Sequence, residues 1–195
     1  MLMLAFIRQK SKQWKAYKKK LTGSKTWLLS LIDLIESLLI ALVIVLIFRR
    51  IAIQTSLIPT PSMVPTLQVK DRLLVNRLPF YWSRPQRGDI VVFYPSHDPK
   101  TQFVKRCIGL PGEQVELKNG DVYINNQLLL LPGIHIKRDN ADFGPVNVPE
   151  KHYFLLGDNR AFSADSRVWG FVEEEQIIGK AWFTFWPFYN MRILR

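Results

Sequence analysis

Cysteine is nearly absent from this chain of 195 residues: Cys107 is the only one. A lone thiol forms no intramolecular disulfide, and no cysteine-built zinc site can be assembled from it. Histidine is scarce too, and His97, His135 and His152 lie too far apart for metal-ligand spacing. Neither a metal nor a cofactor is therefore expected. Acidic residues are missing altogether from residues 1–26, which carry eight Lys or Arg. Taking those eight from the total of 27 leaves 19 basic against 16 acidic residues, so the rest of the chain has a net charge of only +3. The overall +11 thus resides mostly in the N-terminal arm, and a body of only +3 argues against a nucleic-acid partner. No amphipathic helical stretch of useful length follows residue 70. There is no internal repeat, and no low-complexity segment apart from the lysine-rich arm.

What the sequence does contain is a long apolar segment followed by many short ones. Trp27 to Phe48 reads WLLSLIDLIESLLIALVIVLIF, 22 residues. As a helix rising ~1.5 Å per residue it reaches ~33 Å, enough for a hydrocarbon core of ~30 Å. Asp33 and Glu36 weaken the pattern, since a carboxylate near the bilayer centre costs about 2.5 to 3.5 kcal/mol. A cleaved signal peptide is the competing interpretation. Its apolar region is usually shorter, and Arg49 and Arg50 follow Phe48 in place of a small-residue cleavage pattern. The division expected is a basic cytoplasmic arm (1–26), a transmembrane anchor (27–48) and a body on the other side of the membrane (49–195).

In that body, runs rich in β-branched and aromatic residues at 72–78, 89–94, 102–108, 113–117, 121–125, 152–156 and 177–185 read as strands. Asn119-Gly120 signals a hairpin turn, and Asn125-Asn126 turns the chain back again, so a hairpin insertion is expected around 113–131. The fold class is mainly β, an antiparallel sheet domain behind one N-terminal membrane helix. Asp142-Phe143-Gly144 lacks the other parts of a kinase site and reads as a turn.

Three segments hold candidate chemistry. Ile58 to Leu67, IPTPSMVPTL, has three prolines around Ser62 and is a rigid loop. A loop serine more often bonds to nearby backbone than acts as a nucleophile, and no histidine stands near it to activate it. Strand alternation over 101–109 puts Phe103, Lys105 and Cys107 on one face and Val104, Arg106 and Ile108 on the other. If Lys105 faces inward, desolvation lowers its pKa and makes it a base; if outward, its stem merely covers apolar neighbours. The segment from Gly157 to Phe171, GDNRAFSADSRVWGF, is a turn dense in side-chain hydrogen bonding, fit either for scaffolding or for supporting a site.

Taken together these segments resemble type I signal peptidase, the membrane-anchored serine protease that removes signal peptides from exported proteins. The carrying motifs are PSMVPTL at 61–67, RGDIVVF at 87–93, FVKRCIGLPGE at 103–113 and GDNRAFSADSRVWGFV at 157–172, in the family's order. The resemblance implies a Ser62 nucleophile, Lys105 as its general base, and Thr60 with the Ser62 backbone N–H as oxyanion donors. It also implies that Ser163 orients the lysine amine, that Asp165 and Arg167 form a supporting salt bridge, and that Gly157 and Asp158 belong to the same support. Thr60 and Pro61 stand where the family usually has serine and glycine, and Ala161 and Phe162 where polar residues are commoner. Ile58 and Met63 are candidates for shallow pockets that accept small residues before the cut. The implied partners are preprotein signal peptides, the lipid bilayer and, by proximity, the export translocon. The implied location is a cell (inner) or thylakoid-type membrane, crossed once. The alternative from another class is a membrane-tethered β-domain that binds partner proteins without catalysis.

Overall fold

The computed structural model describes residues 12–14, 16–17 and 26–194. Most of the basic arm, residues 1–26, lies outside the described residues. The chain divides into two units, Met1–Arg49 and Arg50–Arg195.

The first unit is dominated by helix α1, Thr26–Ala52, whose last residues belong to the second. Large apolar side chains from Leu31 to Leu46 are exposed on all of its sides, including Leu34, Leu38, Ile40, Leu42 and Ile44. Among the described residues no helix is long and apolar enough to cross a membrane. Glu36 accepts a hydrogen bond from Trp14 Nε1 at 3.1 Å, and Trp14 stacks on Tyr17 with ring centroids 5.7 Å apart.

The second unit is mainly antiparallel β-structure. Its larger sheet has the order β1 (Ile53–Leu57), β2 (Arg72–Asn76), β11 (Ile177–Trp186), β3 (Ile90–Phe93), β4 (Phe103–Gly109), β9 (His152–Leu156) and β10 (Val172–Glu173), with β12 (Arg192–Ile193) also on β11. Strand β3, IVVF, is buried at every position, as its unbroken apolar run requires of a central strand. The smaller sheet has the order β7 (Gln127–Leu128), β6 (Asp121–Ile124), β5 (Gln114–Lys118), β8 (Phe143–Asn147).

The hairpin turn is where the sequence puts it. Asn119 and Gly120 have φ of 50° and 80°, and Asn125 and Asn126 have 50° and 65°, the double left-handed conformation of tight hairpin turns. The smaller sheet extends beyond 113–131, because β8 pairs with β5. That pairing corrects the expectation of a turn at 142–144: Phe143 and Gly144 open an edge strand. An edge position tolerates Pro145, whose missing N–H would break a central ladder.

Three apolar clusters hold the unit together. One lies under the serine loop, where Ile58, Met63 and Leu67 pack with Leu73, Ile90, Val92 and Val104. A second joins the sheets through Ile108, Val115, Leu117, Phe154 and Leu156. The third, with Val91, Phe93, Cys107, Tyr153 and Leu155, covers the other side of β3 and β4. Alternation along β4 thus sends Val104 and Ile108 to clusters different from that of Cys107, as the period of two predicts.

Candidate active site

The proline-rich loop between β1 and β2 is rigid for identifiable reasons. Thr60 is extended, with φ −123° and ψ 156°, and Pro61–Met63 form one turn of 3-10 helix with proline at its start, where a missing N–H costs nothing. Ile58 N–H donates to Asp71 O and Lys70 N–H to Ile58 O, which pins the loop's base. Met63 and Leu67 are fully buried beneath it, so the loop is anchored by packing as well as by proline. Ser62 is itself buried to 6% exposure, yet its hydroxyl lines a cleft of 560 Å³.

Lys105 reaches that hydroxyl from β4 of the larger sheet. Its Nζ donates to Ser62 Oγ at 2.8 Å and to Val104 O at 3.2 Å, while Thr60 Oγ1 donates to the same Ser62 oxygen at 3.2 Å. Only 4% of Lys105 is exposed. Burial pushes its pKa from 10.5 down to about 8, and the carboxylates of Asp165 and Asp158 oppose that shift without cancelling it. A lysine neutral near pH 8 next to a serine hydroxyl is a competent general base. Cys107, two positions on, is chemically idle, since burial pushes its thiol far above the physiological range.

The segment after β9 braces both groups from behind. Asn159 N–H donates to Ser62 O at 3.0 Å and Asn159 Nδ2 to Pro61 O at 3.1 Å, so the backbone of the serine turn is held at two adjacent carbonyls. Gly157 is required by closeness: a Cβ there would lie 2.2 Å from Ser163 Oγ and 2.5 Å from Ser62 O. Asp158 pairs with Arg106, Nη2 to Oδ2 2.6 Å and Nε to Oδ1 2.8 Å, with both side chains essentially inaccessible. Arg106 thereby ties β4, next to Lys105, to this segment.

Asp165 accepts from Gly157 N–H at 3.1 Å and from Arg167 Nε at 2.8 Å. It also caps the short helix α2, Ser166–Trp169. Arg167 further engages Asp139 at 2.7 Å and the carbonyl of Arg160 at 2.6 Å. Ser163 Oγ is buried beside Gly157 and makes no hydrogen bond among the described residues.

Ile58, Thr60, Ser62, Met63 and Lys105 share the cleft. Sequence reasoning missed its other wall: Asp98, Thr101, Gln102, Phe103 and, from the far segment, Phe162 and Ala164. Only Phe103 carried a signal, the shared strand face with Lys105, and the Lys105 Nζ stands 5.9 Å from its ring centroid. Asn159, Arg106 and Asp139 were missed as supports because their partners lie far away in sequence.

The family model for signal peptidase, peptidase S26, matches residues 31–186. The chain belongs to that family. Relatives agree along nearly the whole length. A probable signal peptidase I-2 of Synechocystis sp. is 38% identical over 187 residues, covering 93% of this chain and 81% of the relative. A signal peptidase I of Leptolyngbya laminosa is 41% identical over 164 residues, covering 80% of each. A crystal structure of a signal peptidase I from Enterococcus faecalis shares 36% identity, covers 50% of this chain and 97% of its own, and has a TM-score of 0.43. As a member of the signal peptidase I family the chain is an enzyme, a peptide-bond hydrolase, and the non-catalytic alternative falls away.

Proposed function

We propose that this signal peptidase cleaves signal peptides from exported preproteins after small residues, with Ser62 as nucleophile and neutral Lys105 as general base. The 2.8 Å contact between Lys105 Nζ and Ser62 Oγ in a nearly inaccessible setting carries the proposal. With the amine charged, that bond runs from nitrogen to oxygen. Once the amine is neutral its lone pair takes the hydroxyl proton as Ser62 Oγ attacks the scissile carbonyl carbon. The oxyanion so formed accepts hydrogen bonds from the Ser62 N–H and from Thr60 Oγ1, which turns away from Ser62 Oγ to meet it. Lys105 then delivers the proton to the leaving amine, the C–N bond breaks, and an acyl-enzyme ester remains. Water deprotonated by the same amine hydrolyses the ester. Among the described residues the bond from Ser163 to the lysine amine that the resemblance implies is not formed; Asn159, Asp165, Arg167 and the Asp158–Arg106 pair hold the segment after β9 against the serine turn.

Ile58 and Met63, with Phe103 and Val104, give the cleft an apolar lining suited to the small side chains that precede the cut in export signals. An extended peptide laid along the cleft beside β4 would present alternate side chains to it.

Helix α1 is the proposed membrane anchor. It contains the 22-residue segment 27–48, in which no charge interrupts residues 37–48. The lysine-rich arm keeps the N-terminus cytoplasmic, and the catalytic unit faces the periplasm or lumen, near the export translocon whose products it would process.

Cleavage of a preprotein by the purified full chain, compared with Ser62→Ala and Lys105→Met, tests the chemistry. Each substitution is expected to reduce the rate at least 1000-fold, on the order of what loss of a catalytic group costs. Normal cleavage by either variant would overturn the dyad.

A further inference from the structure

On the smaller-sheet side of the Gly157–Arg160 segment lies a second cleft, of 520 Å³, that the peptidase chemistry does not use. The apolar residues Leu129 to Pro132, Ile134 and Ile136 line it together with His135, Gly120, Val122 and the ion-paired Asp121 and Arg138. Arg160 projects into this lining, although only 3% of the residue is exposed. Its Nε donates to Gly157 O at 3.1 Å, and among the described residues no carboxylate lies in ion-pair contact with its guanidinium. The nearby carboxylates are already engaged. Asp158 pairs with Arg106, Asp139 and Asp165 with Arg167, and Asp121 with Arg138. The cluster balances in formal charge, but its direct ion pairs leave Arg160 out. Burial and the like charge of Arg167 lower its pKa to about 10 against the opposing pull of Asp165, Asp158 and Asp139, so it stays cationic at neutral pH.

A nearly buried guanidinium facing an aliphatic wall is complementary to one kind of ligand: an anionic head on an apolar body. A carboxylate accepts bidentately from a guanidinium, and each methylene placed against Leu129–Ile136 leaves water. We propose that the cleft lined by Arg160 and the 129–136 wall is a binding site for an aliphatic monocarboxylate. The cleft backs onto the brace of the serine turn, since Arg160 bonds Gly157 O and the neighbouring Asn159 holds the backbone carbonyls of Pro61 and Ser62.

Isothermal titration of the full chain in a non-ionic detergent with hexanoate tests the site without any appeal to catalysis. Hexanoate is expected to bind saturably at one site, at least tenfold more tightly than either hexanol, which lacks the charge, or acetate, which lacks the chain. Leu130→Asp puts a repelling carboxylate on the wall at a residue that is 70% exposed, so folding is retained, and it should weaken hexanoate at least tenfold. Arg160→Gln should do the same, with circular dichroism confirming that the domain is folded. No saturable binding, equal binding of hexanol and hexanoate, or unchanged affinity in Leu130→Asp each overturns the proposal. Because binding is read directly, failure here leaves the Ser62–Lys105 chemistry untouched, and failure of that chemistry leaves this site standing.

Discussion

Replacing Lys105 by methionine should make the catalytic unit more stable at neutral pH and less stable at high pH. Lys105 is 4% exposed, and burial lowers its pKa from 10.5 to about 8. Below pH 8 the folded and unfolded chains both hold the proton, and the folded state bears the full cost of a buried ammonium. Between about 8 and 10.5 the unfolded chain binds more protons than the folded one, so stability rises with pH; above 10.5 the cost has gone. A gap of that size is worth ~3 kcal/mol at ~1.36 kcal/mol per pH unit. Methionine removes the charge but also the hydrogen bonds to Ser62 Oγ and Val104 O, together about 1 to 2 kcal/mol. The variant should therefore gain about 1 to 2 kcal/mol at pH 7, a rise in Tm of roughly 2 to 8 °C for a domain of this size. By pH 10.5 the sign reverses. Thermal unfolding of both full chains in detergent at a series of pH values measures this, and taking the difference cancels every group the two share. A difference that stays constant from pH 7 to 10 would refute the buried, depressed lysine.

Thr60→Val removes a hydroxyl assigned to the oxyanion while keeping the β-branched shape. It should lower kcat about 100- to 1000-fold with little change in KM, whereas Thr60→Ser keeps most of the activity; steady-state kinetics on a preprotein substrate separates the two. Gly157→Ala introduces a Cβ 2.5 Å from Ser62 O and 2.2 Å from Ser163 Oγ, so it should abolish cleavage and lower Tm by several degrees, and normal kinetics in this variant would mean that the brace is not needed.

Much of the sheet was readable because period-two alternation is a local signal. The run expected at 152–156 is the observed β9, and those at 72–78, 89–94, 102–108 and 177–185 each contain or nearly match a strand. Strand β1 was missed because Ile53 follows α1 with no turn residue between them, leaving nothing local to mark the change. Strands β8, β10 and β12 escaped because they are short or carry glycine and proline, and gain their pairing only from neighbours far along the chain. In the site, Ser62 and Lys105 were each ambiguous alone. Whether Lys105 faces inward depends on the loop from 58 to 67 folding over β4, which no window of sequence contains. The same holds for Arg106, whose place opposite Lys105 was legible but whose partner Asp158, 52 residues away, was not.

The central claim, a neutral Lys105 activating Ser62, is tested most directly by the pH dependence of kcat/KM for preprotein cleavage. The rate should rise tenfold per unit at low pH and level off with an apparent pKa near 8. With that value about a tenth of the enzyme is active at pH 7 and nine-tenths at pH 9. A profile flat from pH 6 to 10, or one still climbing without a bend at pH 10, would contradict it.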